Sequence, residues 1–183
     1  MSPSLSKAER AALLDLARRS IEAHLGSGEA PKSPGGASFL EHRGAFVTLK
    51  RRADDELRGC IGYAEPILAL FEAVERGAVA AAVEDRRFSP VTPSELPGLR
   101  IEISALTALH PVKAEDVKVG EHGLVMRRGE RRGLLLPQVA QEWGWDRETF
   151  LKKTCLKAGL PEDAWRNGET EILAFEAEVF GED

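Results

Sequence analysis

The chain has 183 residues, 43% of them hydrophobic and 30% charged, and a formal net charge of -5. That length holds one good hydrophobic core, or a main domain carrying a smaller lobe, and the composition is that of a folded globular domain. The acidic balance removes any global electrostatic drive towards nucleic acid or an anionic membrane, and no apolar run approaches the roughly 18 residues of a membrane span.

The N-terminus, Met1-Ser2-Pro3-Ser4-Leu5-Ser6-Lys7, lacks the apolar stretch of an export signal, so a cytoplasmic address is expected. Two cysteines without such a signal read as free thiols. Ser6-Lys7-Ala8-Glu9 has the form of a capping box, and Leu13, Ala17, Ile21 and Leu25 then recur every fourth residue on one helical face. Gly26 suits the position after that helix. From Gly26 to Ser38 the chain is rich in Gly, Pro and Ser and reads as a surface loop.

Ala45-Phe46-Val47-Thr48-Leu49 has strand character. Leu57 to Tyr63 reads as a second strand, joined to the first by a polar turn. Pro66 can open a helix that carries Ile67, Leu70, Phe71 and Val74, with Gly77 marking a break before an alanine-rich helix at 78–83. Thr92-Pro93-Ser94-Glu95 is a further helix start that Leu96-Pro97-Gly98 ends at once. Ile101, Ile103 and Ala105 alternate with polar residues as in a half-buried strand. Leu124-Val125-Met126 and Leu134-Leu135-Leu136 predict a hairpin around Gly129. Pro137 opens a short helix through Trp143, and Asp146 caps the next, whose face carries Phe150, Leu151, Thr154, Cys155 and Ala158. Leu173, Phe175, Ala177 and Val179 alternate in a single terminal strand. Hairpins mixed with short helices favour an α+β class built on antiparallel sheets.

Function is expected to centre on Leu57-Arg58-Gly59-Cys60-Ile61-Gly62. Strand periodicity puts Arg58 and Cys60 on one face and Leu57 and Ile61 on the other. The apolar pair is assigned to the core, which leaves Arg58 and Cys60 facing a cleft, a partner element or solvent. A guanidinium beside a thiol favours the thiolate, the nucleophilic form. Gly59 and Gly62 remove side chains on either side of Cys60, as happens where a ligand or another stretch of backbone comes close. The plainer alternative is a small buried thiol next to a locally paired surface arginine.

This hexapeptide resembles the signature of the AMMECR domain family. Asp85-Arg86-Arg87-Phe88-Ser89-Pro90, Ile101-Glu102-Ile103-Ser104, Gly120-Glu121-His122-Gly123-Leu124 and Gly133-Leu134-Leu135-Leu136-Pro137-Gln138-Val139 resemble further family blocks in order. So do Lys157-Ala158-Gly159-Leu160-Pro161, Ala164-Trp165 and Phe175-Glu176-Ala177. The resemblance spans nearly the whole chain and implies one AMMECR-like domain over residues 1–183. It implies two unequal subdomains, each an antiparallel sheet flanked by helices, with a cleft between them; the larger lobe would contain both chain ends and the smaller would be inserted. Carried over residue by residue, it implies that Gly59, Ile61, Gly62, Asp85, Arg87, Phe88, His122 and Gln138 line a substrate site around Cys60 and Arg58. Prokaryotic members resemble components of a system that includes a Memo-like protein, related to extradiol dioxygenases, and a radical SAM protein. That association implies a part in a modification pathway, acting on a nucleobase or small metabolite.

Other signals are weak. His24, His42, His110 and His122 are scattered without ligand spacing, so no metal is expected, and no phosphate-binding or nucleotide motif calls for a cofactor. Paired arginines at 51–52, 86–87, 127–128 and 131–132 could bind an anion if they shared a cleft, but those in hairpins read as solvated turn charges. Trp143 and Trp145 suit core packing more than a stacking wall. Cys155 reads as buried and inert. Two functions remain in view. In one, Cys60 is a nucleophile or transfer thiol, Arg58 stabilises its thiolate or holds an anionic group, and the glycines admit substrate. In the other, the protein is a non-catalytic module that captures a ligand, peptide or partner enzyme.

Overall fold

Ser6 and Glu9 form the expected reciprocal cap: the Ser6 hydroxyl accepts the Glu9 N–H at 3.2 Å, and the Glu9 carboxylate accepts the Ser6 N–H at 2.7 Å. Helix α1 (Lys7–His24) follows and buries Leu13, Leu16, Ala17, Ser20 and Ile21 along one face. The computed structural model describes residues 4–183. The chain divides into two units, one running to Leu106 and resuming at Glu178–Asp183, the other covering Thr107–Ala177.

In the first unit, β1 (Ala45–Arg51), β2 (Leu57–Tyr63), β3 (Leu99–Leu106) and β8 (Ala177–Gly181) form a sheet in the order β2-β1-β3-β8. β1 pairs antiparallel with both β2 and β3. Helices α1 and α3 (Leu70–Val83) share one apolar core with Val47, Leu49, Ile101 and Ile103. A four-residue turn of helix, α2 (Ala37–Leu40), lies at the end of what reads as loop and buries Phe39.

Four expectations are corrected here. Pro66 lies in the turn before α3 rather than in its first turn, and Gly77 does not break the helix. The glycine lies where α3 crosses the sheet, against Val47 and the Ile61 carbonyl, so tertiary packing outweighs its low helix propensity. Leu57 is 39% exposed and is not in the core, whereas Ile61 packs against it. The terminal alternation is two strands, because at Glu176 the backbone turns to exchange hydrogen bonds with Thr107: its N–H bonds the Thr107 hydroxyl and its carbonyl accepts the Thr107 N–H. Beyond it the side chains of Glu178 and Glu182 bond elements of the first unit.

In the second unit, β4 (His110–Pro111), β7 (Glu171–Phe175), β5 (Gly123–Arg128) and β6 (Arg131–Leu135) form a second sheet in the order β4-β7-β5-β6. Their pairings are antiparallel. The β5–β6 hairpin turns at Gly129, whose φ of 57° suits glycine. Helices α4 (Pro137–Glu142) and α5 (Arg147–Lys157) flank this sheet, and Asp146 caps α5 by accepting the Thr149 N–H at 2.8 Å. Phe150, Leu151, Cys155, Leu124 and Met126 fill a separate core. Among the described residues, no helix is long and apolar enough to cross a membrane.

The tightest contact between helix and sheet lies at Gly59. A β-carbon there would sit 2.1 Å from the Ala81 carbonyl oxygen of α3. Gly59→Ala is therefore expected to lower unfolding free energy by about 2–3 kcal/mol, because neither backbone can yield. Gly98→Ala, where a β-carbon meets nothing, is expected to stay within about 0.5 kcal/mol of the parent. Urea unfolding of the two variants checks both; equal midpoints would show that α3 does not depend on this approach.

Candidate functional site

β2 is an outer strand, and its backbone alternation sets the geometry around Cys60. The Leu106 N–H donates to the Gly44 carbonyl, so the even residues of β1 bond to β3 and the odd ones to β2. Thr48–Cys60 and Phe46–Gly62 are then non-hydrogen-bonded pairs of the β1–β2 ladder. The N–H and C=O groups of Cys60 and Gly62 point away from β1. Side chains of such pairs approach closely, and the Thr48 hydroxyl donates to Cys60 Sγ at 3.2 Å.

The outward N–H of Cys60 donates to Asp85 Oδ2 at 2.9 Å. Asp85 stands just past the end of α3 and is 7% exposed. Its carboxylate also accepts the Arg87 N–H at 3.2 Å, Arg87 Nε at 3.0 Å and Arg87 Nη2 at 2.7 Å. The guanidinium of Arg87 is the main cause that holds the Asp85 carboxyl well below the usual carboxylate range. Burial opposes it, and the N–H groups of Cys60 and Arg87 reinforce it. Arg87 is raised in return, first by Asp85 and to a smaller degree by the charge of the Cys60 sulfur.

Arg58 has a different partner. Its Nε and Nη2 donate to the two oxygens of Glu95 at 2.6 and 3.1 Å. This bidentate pair lowers the Glu95 carboxyl, the Arg58 hydrogen bonds being the largest cause. Arg58 Nη1 is buried and, among the described residues, has no acceptor. Both arginines lie over the Phe88 ring, Arg58 Cζ at 5.8 Å and Arg87 Cζ at 5.5 Å from its centroid. Cys60, Arg58, Asp85, Arg87 and Phe88 are thus brought together, joined by Thr48 and Glu95. Each arginine is paired with its own carboxylate, and of the two it is Arg87 whose charge interacts with the Cys60 sulfur.

The close approach signalled by the two glycines is between parts of the protein itself. A β-carbon on Gly59 would meet Ala81, and one on Gly62 would sit 2.2 Å from the Ala45 carbonyl oxygen. Ile61 faces the core beside them. His122 and Gln138 belong to the second unit. His122 is buried, accepts the Lys118 N–H at Nδ1 (3.3 Å) and meets His110 edge to face at 6.1 Å. Gln138 is exposed in the first turn of α4. His42 forms a backbone bridge with Ala69, away from the sulfur that Thr48 contacts. Among the described residues, no three His, Cys, Asp or Glu side chains gather as metal ligands do.

Most hairpin arginines are taken up by carboxylates or carbonyls: Arg51 by Asp54 and Glu56, Arg127 by Glu171, Arg131 by the Gly159 carbonyl. Trp143 is 70% exposed and stacks on Trp145, so it is not a core residue. Cys155 is fully buried, and burial pushes its thiol up. Sequence reasoning missed Thr48 and Glu95. Thr48 carries no motif, but the β1–β2 hairpin register places it opposite Cys60. Glu95 was visible only as part of a helix-capping pattern.

The AMMECR1 family model matches residues 14–180. A protein of Methanothermobacter thermautotrophicus is 45% identical over 98% of this chain and 97% of its own length. One of Methanopyrus kandleri is 46% identical, covering all of this chain and 93% of its own. The crystal structure of the uncharacterized protein PH0010 from Pyrococcus horikoshii superposes with a TM-score of 0.73 at 44% identity, over 94% of this chain and 90% of that one.

Asp85→Asn is expected to destabilise the protein by about 2 kcal/mol at neutral pH, because the amide keeps one acceptor oxygen and no charge, and its NH2 group would face donors that the second carboxylate oxygen now accepts. The folded-state pKa of Asp85 is depressed, so its contribution is fully present above the ordinary carboxylate value of ~3.9 and is lost as pH falls below that. Unfolding curves of parent and variant should therefore converge in acid. A gap that stays constant down to the lowest accessible pH would contradict the assignment.

Proposed function

This chain belongs to the AMMECR1 family, and on that premise we propose that residues 57–62 form a thiol site in which Cys60 is the reacting group. The observation that carries the reading is the setting of the sulfur. Cys60 is partly exposed, its Sγ receives the Thr48 hydroxyl, and its backbone is fixed by Asp85, which also anchors Arg87. A donor hydroxyl and a neighbouring guanidinium both favour sulfur as thiolate, the form that attacks an electrophile. In this reading Asp85 and Arg58 are positioning residues. Asp85 holds the strand edge and Arg87 together. Arg58, paired with Glu95, and Arg87 both lie against the Phe88 ring. The protein would act as the thiol-bearing component of a modification pathway, alongside the Memo-like and radical SAM proteins that the family resemblance implies.

One observation favours a second reading, a non-catalytic binding module. Both arginines of the site are already paired with carboxylates, and the buried Nη1 of Arg58 lacks an acceptor. A ligand oxygen could satisfy that donor without any reaction at sulfur.

Iodoacetamide labelling of the folded protein, read by peptide mass spectrometry, separates the two. Cys60 is expected to be alkylated in the native state while Cys155, buried, reacts only on unfolding. Thr48→Val should slow Cys60 about threefold, the size of one lost hydrogen bond, and leave the melting temperature within a few degrees. If Cys60 stays unlabelled until the protein unfolds, the thiol reading fails and the binding module stands.

A further inference from the structure

The two faces of β1 differ in what covers them. Val47 and Leu49 are fully buried in the core shared with α1 and α3. Phe46, Thr48 and Lys50 turn to the opposite face, where Cys60 lies, and are half-buried. Among the described residues, Phe46 packs into neither apolar core. A phenyl ring left half in water forgoes part of the stabilisation that burial would bring. Single surface apolar residues are ordinary, but this one has room made for it. Phe46 is paired across the ladder with Gly62. A β-carbon on Gly62 would sit 2.5 Å from Phe46 Cα and 2.7 Å from its Cγ, so the ring starts in the space that a side chain at position 62 would fill.

That space adjoins the sulfur. Thr48 is opposite Cys60, which makes Phe46 the diagonal neighbour of Cys60 across the β1–β2 ladder. Diagonal neighbours are roughly 7–8 Å apart, within reach of an aromatic side chain. Cys60 has two unlike flanks on this face, at Arg58 and at Gly62, each about 6.6 Å along the strand. On the first, Arg58 lies over Phe88 and pairs with Glu95. On the second stands Phe46, with the uncharged Ser104 opposite it on β3. The charged side chains that follow on this face, Lys50 and Glu102, pair with each other at 3.2 Å. A neutral, apolar group is the chemistry that the Gly62 flank accommodates.

We propose that Phe46 is the apolar wall of the thiol site, and that the substrate is an electrophile carrying a flat apolar ring. The ring seats against Phe46 while the electrophilic carbon meets Cys60 Sγ. Offset or edge-to-face contact with the phenyl ring favours an aromatic group over an aliphatic one. The proposal rests on the thiol reading and deepens it, because it names the part of the substrate that does not react.

The test compares two neutral reagents on the full chain, iodoacetamide and N-benzyliodoacetamide, with labelling of Cys60 read by peptide mass spectrometry. With either one the sulfur–carbon bond forms as the carbon–iodine bond breaks, iodide leaves with the electron pair, and the thiol proton passes to water. Each rate on the native protein is divided by the rate on Cys60 of the urea-unfolded chain, which removes the intrinsic difference between the reagents. The corrected rate should be about fivefold higher for the benzyl reagent, the size of one aromatic contact. Phe46→Ala should bring that ratio to about one and keep the iodoacetamide rate within about twofold of the parent. Phe46→Leu, which retains an apolar side chain for folding, should bring it to about two. A parent ratio of one or below, with Cys60 labelled by both reagents, overturns the proposal and leaves the thiol reading standing. A benzyl preference that survives both substitutions overturns it as well. If neither reagent reaches Cys60 before unfolding, the thiol reading fails and the proposal falls with it.

Discussion

The carbonyl oxygen of Ala81 occupies the space that a β-carbon on Gly59 would need, with 2.1 Å between the two positions. Because the strand offers no side chain at that point, α3 can lie directly on β2. The helix then ends two residues later, and its exit carries Asp85 to the strand edge, where its carboxylate meets the Cys60 N–H. Everything else in the site follows from that placement. Asp85 fixes Arg87, Arg87 and Arg58 both lie over Phe88, and the segment beyond brings Glu95 to Arg58. The second unit uses the same device at Gly133, where a β-carbon would sit 2.2 Å from the Ala158 nitrogen at the end of α5. In both units a strand glycine converts an ordinary sheet–helix contact into one whose spacing a single methyl group would spoil.

Local signals were legible where the chemistry that produces them is local. The Ser6–Glu9 box, the β1–β2 and β5–β6 hairpins and the Asp146 cap all depend on groups within a few residues of one another, and all stand as expected. The misses share a cause. Gly77 suggests a break by propensity, yet the helix runs through it because Val47 and Ile61 pack beneath. The alternation through Glu176 looks like one strand, yet a bond to Thr107, 69 residues away in sequence, divides it. Glu95 shows the ambiguity most clearly. Its oxygens accept a weak bond from the Thr92 N–H at 3.4 Å, as a capping pattern predicts, but its close contact is with Arg58 at 2.6 Å. A short motif states what a side chain can do locally; it does not say which distant group will compete for it.

The charges repeat this lesson. Paired arginines in an acidic chain suggested exposed turn residues, and several are, Arg51 with partners close in sequence, but other arginines take partners from far along the chain. Arg18 and Arg52 both reach Glu182, and Arg43, 2% exposed, donates to the Leu106 carbonyl and to Glu178. Leu106 and Glu178 are the residues at which the chain leaves the first unit and returns to it. A buried guanidinium is tolerated there because it ties both crossings at once, and the loss of either partner would leave it poorly compensated. No periodicity in the sequence marks Arg43, since the need for it arises only when the two crossings lie side by side.

The same accounting bears on how Cys60 can act. A thiol nucleophile needs either a base in contact with sulfur or an environment that favours the anion. No base touches Sγ; its hydrogen-bonding partner among the described residues is the hydroxyl of Thr48, a donor. In the proposed thiol reading, activation would come from groups placed near the sulfur rather than from a base, and those groups are Thr48 and Arg87, each arginine of the site being held by its own carboxylate. Arg58 still keeps one N–H, on Nη1, buried without an acceptor. A ligand that offered an oxygen to Nη1 would satisfy a donor the folded protein leaves unmet, on the strand face that also carries the sulfur. The two proposed readings then make different demands on the site: binding would draw on Arg58 and Phe88, and reaction would draw also on Thr48, Asp85 and Arg87, the groups arranged around the sulfur.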